Sequence, residues 1–194
     1  EVFEQIPWMI MMCERDIAQK LKILGLIEVA TNTFAAGTSV YQKPDRWRQT
    51  VSLNFGRDIG TVLDPNVRRT PIFPRSYEYC RYLWPNPLQE EVPLFYADYN
   101  YTHWLISPTP DDAYPFEVLY YQQPPFLSDV NQTNWLTDYA PLALIFGTLV
   151  QGEAFLKNDE RVPLWKDYYA DQLAGLDGQD LQRIIDRSTT RQED

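Results

Sequence analysis

Histidine and cysteine are nearly missing from this sequence: His103 is the only histidine, and Cys13 and Cys80 are the only cysteines. The two cysteines lie far apart without CxxC spacing, so neither a disulfide framework nor a thiolate metal site is expected, and a reducing compartment fits better. A single histidine cannot build a His-based metal site without partners, and no serine stands in a nucleophile-elbow context that could use it as a base. No GxGxxG and no GxxxxGK[ST] occurs, which removes the common phosphate-cradling loops. No uncharged run is longer than that from Tyr139 to Gly152, which is too short to span a bilayer and holds Pro141 and Gly147. No signal peptide is visible. Positive charge is also in short supply. Against 27 acidic residues there are 17 Lys and Arg, a formal net charge of -10, which argues against general nucleic-acid binding.

The carboxylates that are present do not form an evident catalytic pair. Glu90-Glu91 and Asp111-Asp112 sit in proline-rich stretches, where solvated turn residues are the simpler explanation. His103 lies in an alternating segment among aromatic neighbours and reads as structural. No catalytic, cofactor-binding or metal-ligating residue is assigned. The acidity is concentrated at one end, since 12 acidic and 6 basic residues follow Ser128. The only basic clustering is Arg46-Trp47-Arg48 with Arg57, Arg68 and Arg69. It reads first as edge protection or inter-subunit salt bridging, and second as a ligand patch.

Proline and tyrosine divide the 194 residues into zones, with 12 of the 15 prolines between Pro44 and Pro125 and 10 of the 13 tyrosines between Tyr41 and Tyr121. Proline at that density excludes long helices from the middle and favours short strands with turns. Gln49–Phe55 alternates, which predicts a strand with Val51, Leu53 and Phe55 on one face. Leu94–Tyr99 and His103–Ser107 flank Asn100 as a hairpin, and Phe116–Tyr121 follows the turn at Pro108–Asp112. Asp64-Pro65-Asn66 reads as another turn, and Ser76–Leu83 as a short helix capped by Ser76.

The ends are helical in pattern. Ile6–Leu24 repeats apolar residues at three-and-four spacing, with Pro7 in the first turn and Gly25 as the stop. Leu142, Ile145, Phe146, Leu149 and Leu156 form a second stripe, with Asp138 as a candidate cap. Gly147 and Gly152 there suggest close packing, either within a bundle or between subunits. Val162, Trp165, Tyr169, Leu173 and Leu176 form a third stripe, and a short helix after Asp177-Gly178 carries Leu181, Ile184 and Ile185. The expected fold is α+β: an antiparallel helical bundle built from both ends of the chain, with an inserted, mostly antiparallel β-domain whose strands run from Thr38 to Gln122. The expected divisions are residues 1–29, a first bundle helix; 30–127, the β-domain; 128–187, C-terminal bundle helices; and 188–194, a polar tail. The expected bundle core is Ile10, Ile17, Leu21, Leu142, Phe146, Leu149, Trp165 and Tyr169.

Several stretches together resemble the head-to-tail adaptor (connector) proteins of tailed bacteriophages. They are Ile6-Pro7-Trp8-Met9-Ile10 running into Glu14-Arg15-Asp16-Ile17; Val92–Ala97 followed by Trp104–Pro110; Tyr120-Tyr121 before Pro124; and Asn134-Trp135-Leu136 leading to Ala154–Glu160. The resemblance covers nearly the whole chain. It implies a structural virion protein at the head–tail junction, assembled in the host cytoplasm, that forms a homo-oligomeric ring, typically a dodecamer. Such a ring joins the portal to a tail component (nozzle, terminator or tube) and extends the DNA channel without sequence-specific DNA binding. It implies no enzymatic activity, no cofactor and no membrane. Portal docking maps by position onto the C-terminal segment, with Leu181, Arg183, Ile184, Ile185 and Arg187 as candidates. Members of such a family carry residues ahead of the first helix matched here, which implies a trimmed start. A second reading from the residues alone is an aromatic-rich carbohydrate-binding β-module of a virion or cell surface, with Trp84, Tyr96, Tyr99 and Trp104 as the stacking candidates.

Overall fold

The computed structural model describes residues 2–56, 68–156 and 160–189, with backbone alone for 2, 154 and 179–189. The chain divides into two compact units. One is residues 27–122 and holds every strand; the other combines residues 1–26 with 123–194.

In the first unit the strands are β1 (Ile27–Phe34), β2 (Val40–Gln42), β3 (Trp47–Gly56), β4 (Arg69–Pro74), β5 (Glu90–Glu91), β6 (Phe95–Asp98), β7 (His103–Ser107), β8 (Thr109–Pro110) and β9 (Tyr114–Gln122). Seven of them form one sheet in the order β1-β9-β3-β4-β6-β7-β2, while β5 and β8 make a separate parallel pair. Pairing in the large sheet is antiparallel apart from β4 with β6. Strand β9 organises it. Tyr114, Phe116, Val118 and Tyr120 alternate inward, as the period of two requires, and β9 is paired along both edges.

The sheet curls until its two outer strands meet. Phe34 at the end of β1 lies 4.8 Å, centroid to centroid, from Tyr41 of β2, and stacks on Phe116 at 4.2 Å. The Tyr41 hydroxyl donates to the Ala35 carbonyl at 2.8 Å, which ties the edges together. Curling brings the two edge strands together at this point, although no ladder pairs β1 with β2 among the described residues. Inside lies a core of Phe34, Leu53, Phe55, Ile72, Tyr96, Trp104, Ile106, Tyr114, Phe116, Val118 and Tyr120. Each large side chain buried here contributes about 1.5–3 kcal/mol relative to exposure.

The second unit holds α1 (Val2–Lys20), α3 (Trp135–Tyr139), α4 (Pro141–Phe155) and α5 (Val162–Thr189), whereas α2 (Tyr77–Leu83) belongs to the sheet unit. Helix α4 packs against α1, α3 and α5. A side chain at Gly147 would strike Cys13 and Tyr169, while at Gly152 it would make ordinary contact with Met9 Sδ at 3.7 Å. So α1 and α4 run antiparallel, and only Gly147 is a forced close approach. Ile17, Leu21 and Tyr169 are buried, and Ile10, Phe146, Leu149 and Trp165 are partly buried.

Several expectations are corrected. The fold is not a helical bundle carrying an insertion. It is a mixed α+β arrangement dominated by a seven-stranded sheet, with five helices among the described residues. The sheet begins at Ile27 rather than Thr38; β1 was hidden because its only buried side chain is Phe34, so no alternation shows. Val51 is 45% exposed although Leu53 and Phe55 are buried, because the β3–β9 register slips between Thr50 and Ser52 and turns Val51 outward. Leu142, expected in the core, is 50% exposed, because α4 turns Ala143, Leu144 and Gly147 inward instead.

The helix boundaries shift as well. Helix α1 starts at Val2, placing Pro7 inside it, and ends at Lys20, before a 3-10 turn over Leu24–Leu26. Gly25 is needed for another reason: any side chain there would collide with the Trp135 indole. Asp138, expected to cap α4, lies inside the short helix α3, whose own cap is Asn134, with the Asn134 side chain accepting from Leu136 N and Thr137 N and the Thr137 hydroxyl accepting from Asn134 N. The stripes before and after Gly178 belong to one continuous helix, α5. Asp64-Pro65-Asn66, Arg57 and Lys157–Asp159 lie outside the described residues.

Candidate assembly surfaces

Polar residues that might have carried chemistry are used locally. His103 Nδ1 lies 2.9 Å from Thr102 Oγ1, and the His103 backbone N–H donates to Asn100 Oδ1 at 2.7 Å, closing the β6–β7 hairpin. Asp111 accepts from the Tyr114 hydroxyl at 2.7 Å and Asp112 from Ala113 N at 2.7 Å. Glu90 and Glu91 form β5 against Thr109 and Pro110. Among the described residues no group of three or more His, Cys, Asp or Glu is placed to hold a metal. No described helix is long and apolar enough to cross a membrane.

The aromatic candidates do not share a platform. Trp104 is fully buried and Tyr96 nearly so, whereas Trp84 packs on Phe95 and Tyr99 on Tyr77. Trp104 is therefore unavailable for stacking on a sugar. What the sheet unit does expose is the short helix α2. Ser76 caps it by accepting from Tyr79 N, and its outward side chains include Tyr77, Tyr79, Tyr82 and Leu83. Arg75 lies over the Tyr79 and Phe95 rings at 5.7 and 5.2 Å, and Arg81 over Tyr77 at 5.5 Å. Aromatics combined with stacked arginines are the composition of energetically dominant interface residues.

Beside it lies a cavity of about 520 Å³ lined by Trp47, Arg48, Gln49, Thr50, Pro74, Arg75, Tyr96 and Asp98. Its origin is topological. β4 pairs with β3 only from Arg69 to Ile72, then leaves to pair with β6 through Phe73 and Pro74, opening a gap beside the start of β3. Here β3 is irregular, with its register against β9 shifting across Arg48. Arg46, just before, holds a left-handed φ of 58°. Lys43, buried, binds Asp98 at 2.7 Å and sits 3.5 Å from the Trp47 ring centroid. Thr50 Oγ1 accepts from both the Trp47 and Trp104 indoles at 3.1 Å. Of the other basic-cluster members, Arg69 pairs with Glu117 at 3.4 Å and Arg68 is exposed.

In the helical unit, α4 carries no charge from Pro141 to Gly152, so it is apolar on all sides. Yet Leu142 and Ile145 are about half exposed, as are Phe155 and Leu156, and Tyr139 just before the helix is more exposed still. A helix apolar all round is a buried helix, and here part of its surface has no cover among the described residues. Leu181, Arg183, Ile184, Ile185 and Arg187 fall in the last turns of α5, and their side chains lie outside those described.

A family model described as SU10 adaptor protein matches residues 4–192. The chain belongs to the SU10 adaptor family. This is a family of bacteriophage head-to-tail adaptors, so the chain is a structural component of a phage virion, and interaction with other virion components follows from that. No curated protein matches the chain significantly. The SU10 adaptor match spans both compact units, so the curled sheet and the helices are together one adaptor. Sequence reasoning missed the cavity beside β3, for which the Arg46-Trp47-Arg48 clustering was the sole signal.

Proposed function

We propose that the chain is a ring-forming adaptor that sits between the portal and the tail at the head–tail junction and extends the DNA channel. The ring is a homo-oligomer, twelve-fold as the resemblance implies, assembled in the host cytoplasm. Its contacts are heterologous, one face of each copy against a different face of the next, because only such contacts close into a ring of this kind. The observation that carries the reading is the uncovered part of α4. Covering Leu142 and Ile145, each half exposed, would contribute about 1 kcal/mol apiece. The net charge of -10 suits a channel through which DNA slides without sticking. The end of α5 is the portal-docking segment, and a tail component (nozzle, terminator or tube) contacts the opposite side. No catalysis, cofactor or membrane enters this role.

The test is the mass of the purified chain in solution, with and without Leu142→Glu and Ile145→Glu together. The unaltered chain forms a discrete oligomer, and the double variant is monomeric with its fold intact. An oligomer indifferent to both charges contradicts the role given to α4. Deleting Leu181–Asp194 leaves ring formation in place and abolishes attachment to the portal, read by co-sedimentation. Normal attachment by the truncated chain contradicts the docking assignment.

A further inference from the structure

Arg75 and Arg48 both line the cavity beside β3, and the ring does not account for it. Arg75 is held from three directions, by the Tyr79 ring, the Phe95 ring and a 3.0 Å hydrogen bond to the Pro74 carbonyl. Among the described residues no carboxylate pairs with it. Asp98, the one acid in the lining, is already matched by Lys43 at 2.7 Å. The register shift at Arg48 is the device by which strands re-aim a side chain beside a binding site. The left-handed Arg46 costs on the order of 1 kcal/mol, strain of the kind that concentrates at such sites. A planar guanidinium fixed on aromatic rings, in a cavity of about 520 Å³, suits a carboxylate.

We propose that this cavity receives a carboxylate side chain from the acidic helical unit of a second copy of the chain. The proposal rests on the ring reading and names one of its contacts. Charge complementarity selects the occupant. The helical unit has 16 acidic and 9 basic residues, a net of -7, against 11 and 8 in the sheet unit, a net of -3. Two of the sheet unit's arginines, Arg48 and Arg75, line this cavity, so a copy presenting its helices to the next copy's cavity brings opposite charges together. That contact is heterologous, as a ring requires. Nucleic acid is the disfavoured occupant, because its affinity comes from neutralising many phosphates at once and only two arginines line the cavity.

The experiment measures oligomer mass against concentration for the unaltered chain, for R48E/R75E, and for R75K treated with a carbodiimide that joins amines to carboxylates. The expected result is at least a tenfold rise in the dissociation constant for R48E/R75E, with unchanged thermal unfolding. For R75K the expected result is an inter-chain cross-link from the new amine to an acid within residues 1–26 or 123–194. Full assembly of R48E/R75E overturns the cavity assignment and leaves the ring standing; a monomeric unaltered chain overturns both. A cross-link confined to residues 27–122 overturns the assignment. So does binding of a short duplex oligonucleotide that R48E/R75E abolishes, which gives the cavity to phosphate.

Discussion

The carboxylate of Glu14, fully buried on α1, accepts a hydrogen bond from the side-chain amide of Asn134 at 2.6 Å, across 120 positions of sequence. Leu127 N also donates to it, at 3.3 Å to each oxygen. Asn134 at the same time caps α3, so one residue starts a helix and holds the chain that enters it.

Burial raises the Glu14 pKa above its ordinary 4.5, and the hydrogen bonds from Asn134 and Leu127 only partly offset this. The folded state therefore binds the proton more tightly than the unfolded state. The stability this gives is complete below the unfolded pKa and is lost as pH rises through the raised folded value. Glu14→Gln, which cannot ionise, gains on the unaltered chain across that interval and matches or exceeds it at pH 7. Urea midpoints at successive pH values check this; parallel profiles contradict it. Asn134→Ala removes both the cap and the donor, at a cost of about 2 kcal/mol.

The two glycines of α4 separate in the same way. Gly147→Ala drives a methyl into Cys13 and Tyr169, where it costs about 1–3 kcal/mol. Gly152→Ala meets only Met9 at 3.7 Å and gains up to about 1 kcal/mol of helix propensity. Thermal unfolding of the pair gives opposite shifts; equal shifts contradict the packing described.

Both thiols are protected. Cys13 is pushed up to about 12, chiefly by burial, and burial also raises Cys80. Iodoacetamide at pH 8 leaves both unlabelled in the folded protein and labels both in urea, as counted by mass spectrometry. A label gained without denaturant places a thiol at the surface and contradicts the core.

Thr50→Val withdraws the shared acceptor of two indoles, Trp47 and Trp104. The cost is about 1–3 kcal/mol, accompanied by a change in tryptophan emission. Because Trp47 and Thr50 both line the cavity beside β3, the same variant weakens assembly more than its stability loss explains.

Legibility followed the strength of the local pattern. The Ser76 cap, the hairpin around Asn100 and the alternation of Phe116–Tyr121 were readable because turn chemistry and period coincide there. Strand β1 was not, since it lies almost wholly exposed on one edge and only Phe34 records the core. Nor was the outward turn of Val51, because a register shift leaves no mark in the alternation. Helix α4 was misread for the opposite reason. It is apolar on every side, so its stripe could not say which face the chain itself covers, and Leu142 was assigned inward. The family could be read from ordered motifs, but the cavity depends on where β4 leaves β3, which no local pattern encodes.

The most direct test of ring assembly is electron microscopy of the purified chain, imaged alone and after mixing with its portal. Closed rings of one stoichiometry with an axial channel are expected, stacked coaxially on the portal when it is present. Isolated single copies at every concentration, with the portal bare, would contradict it.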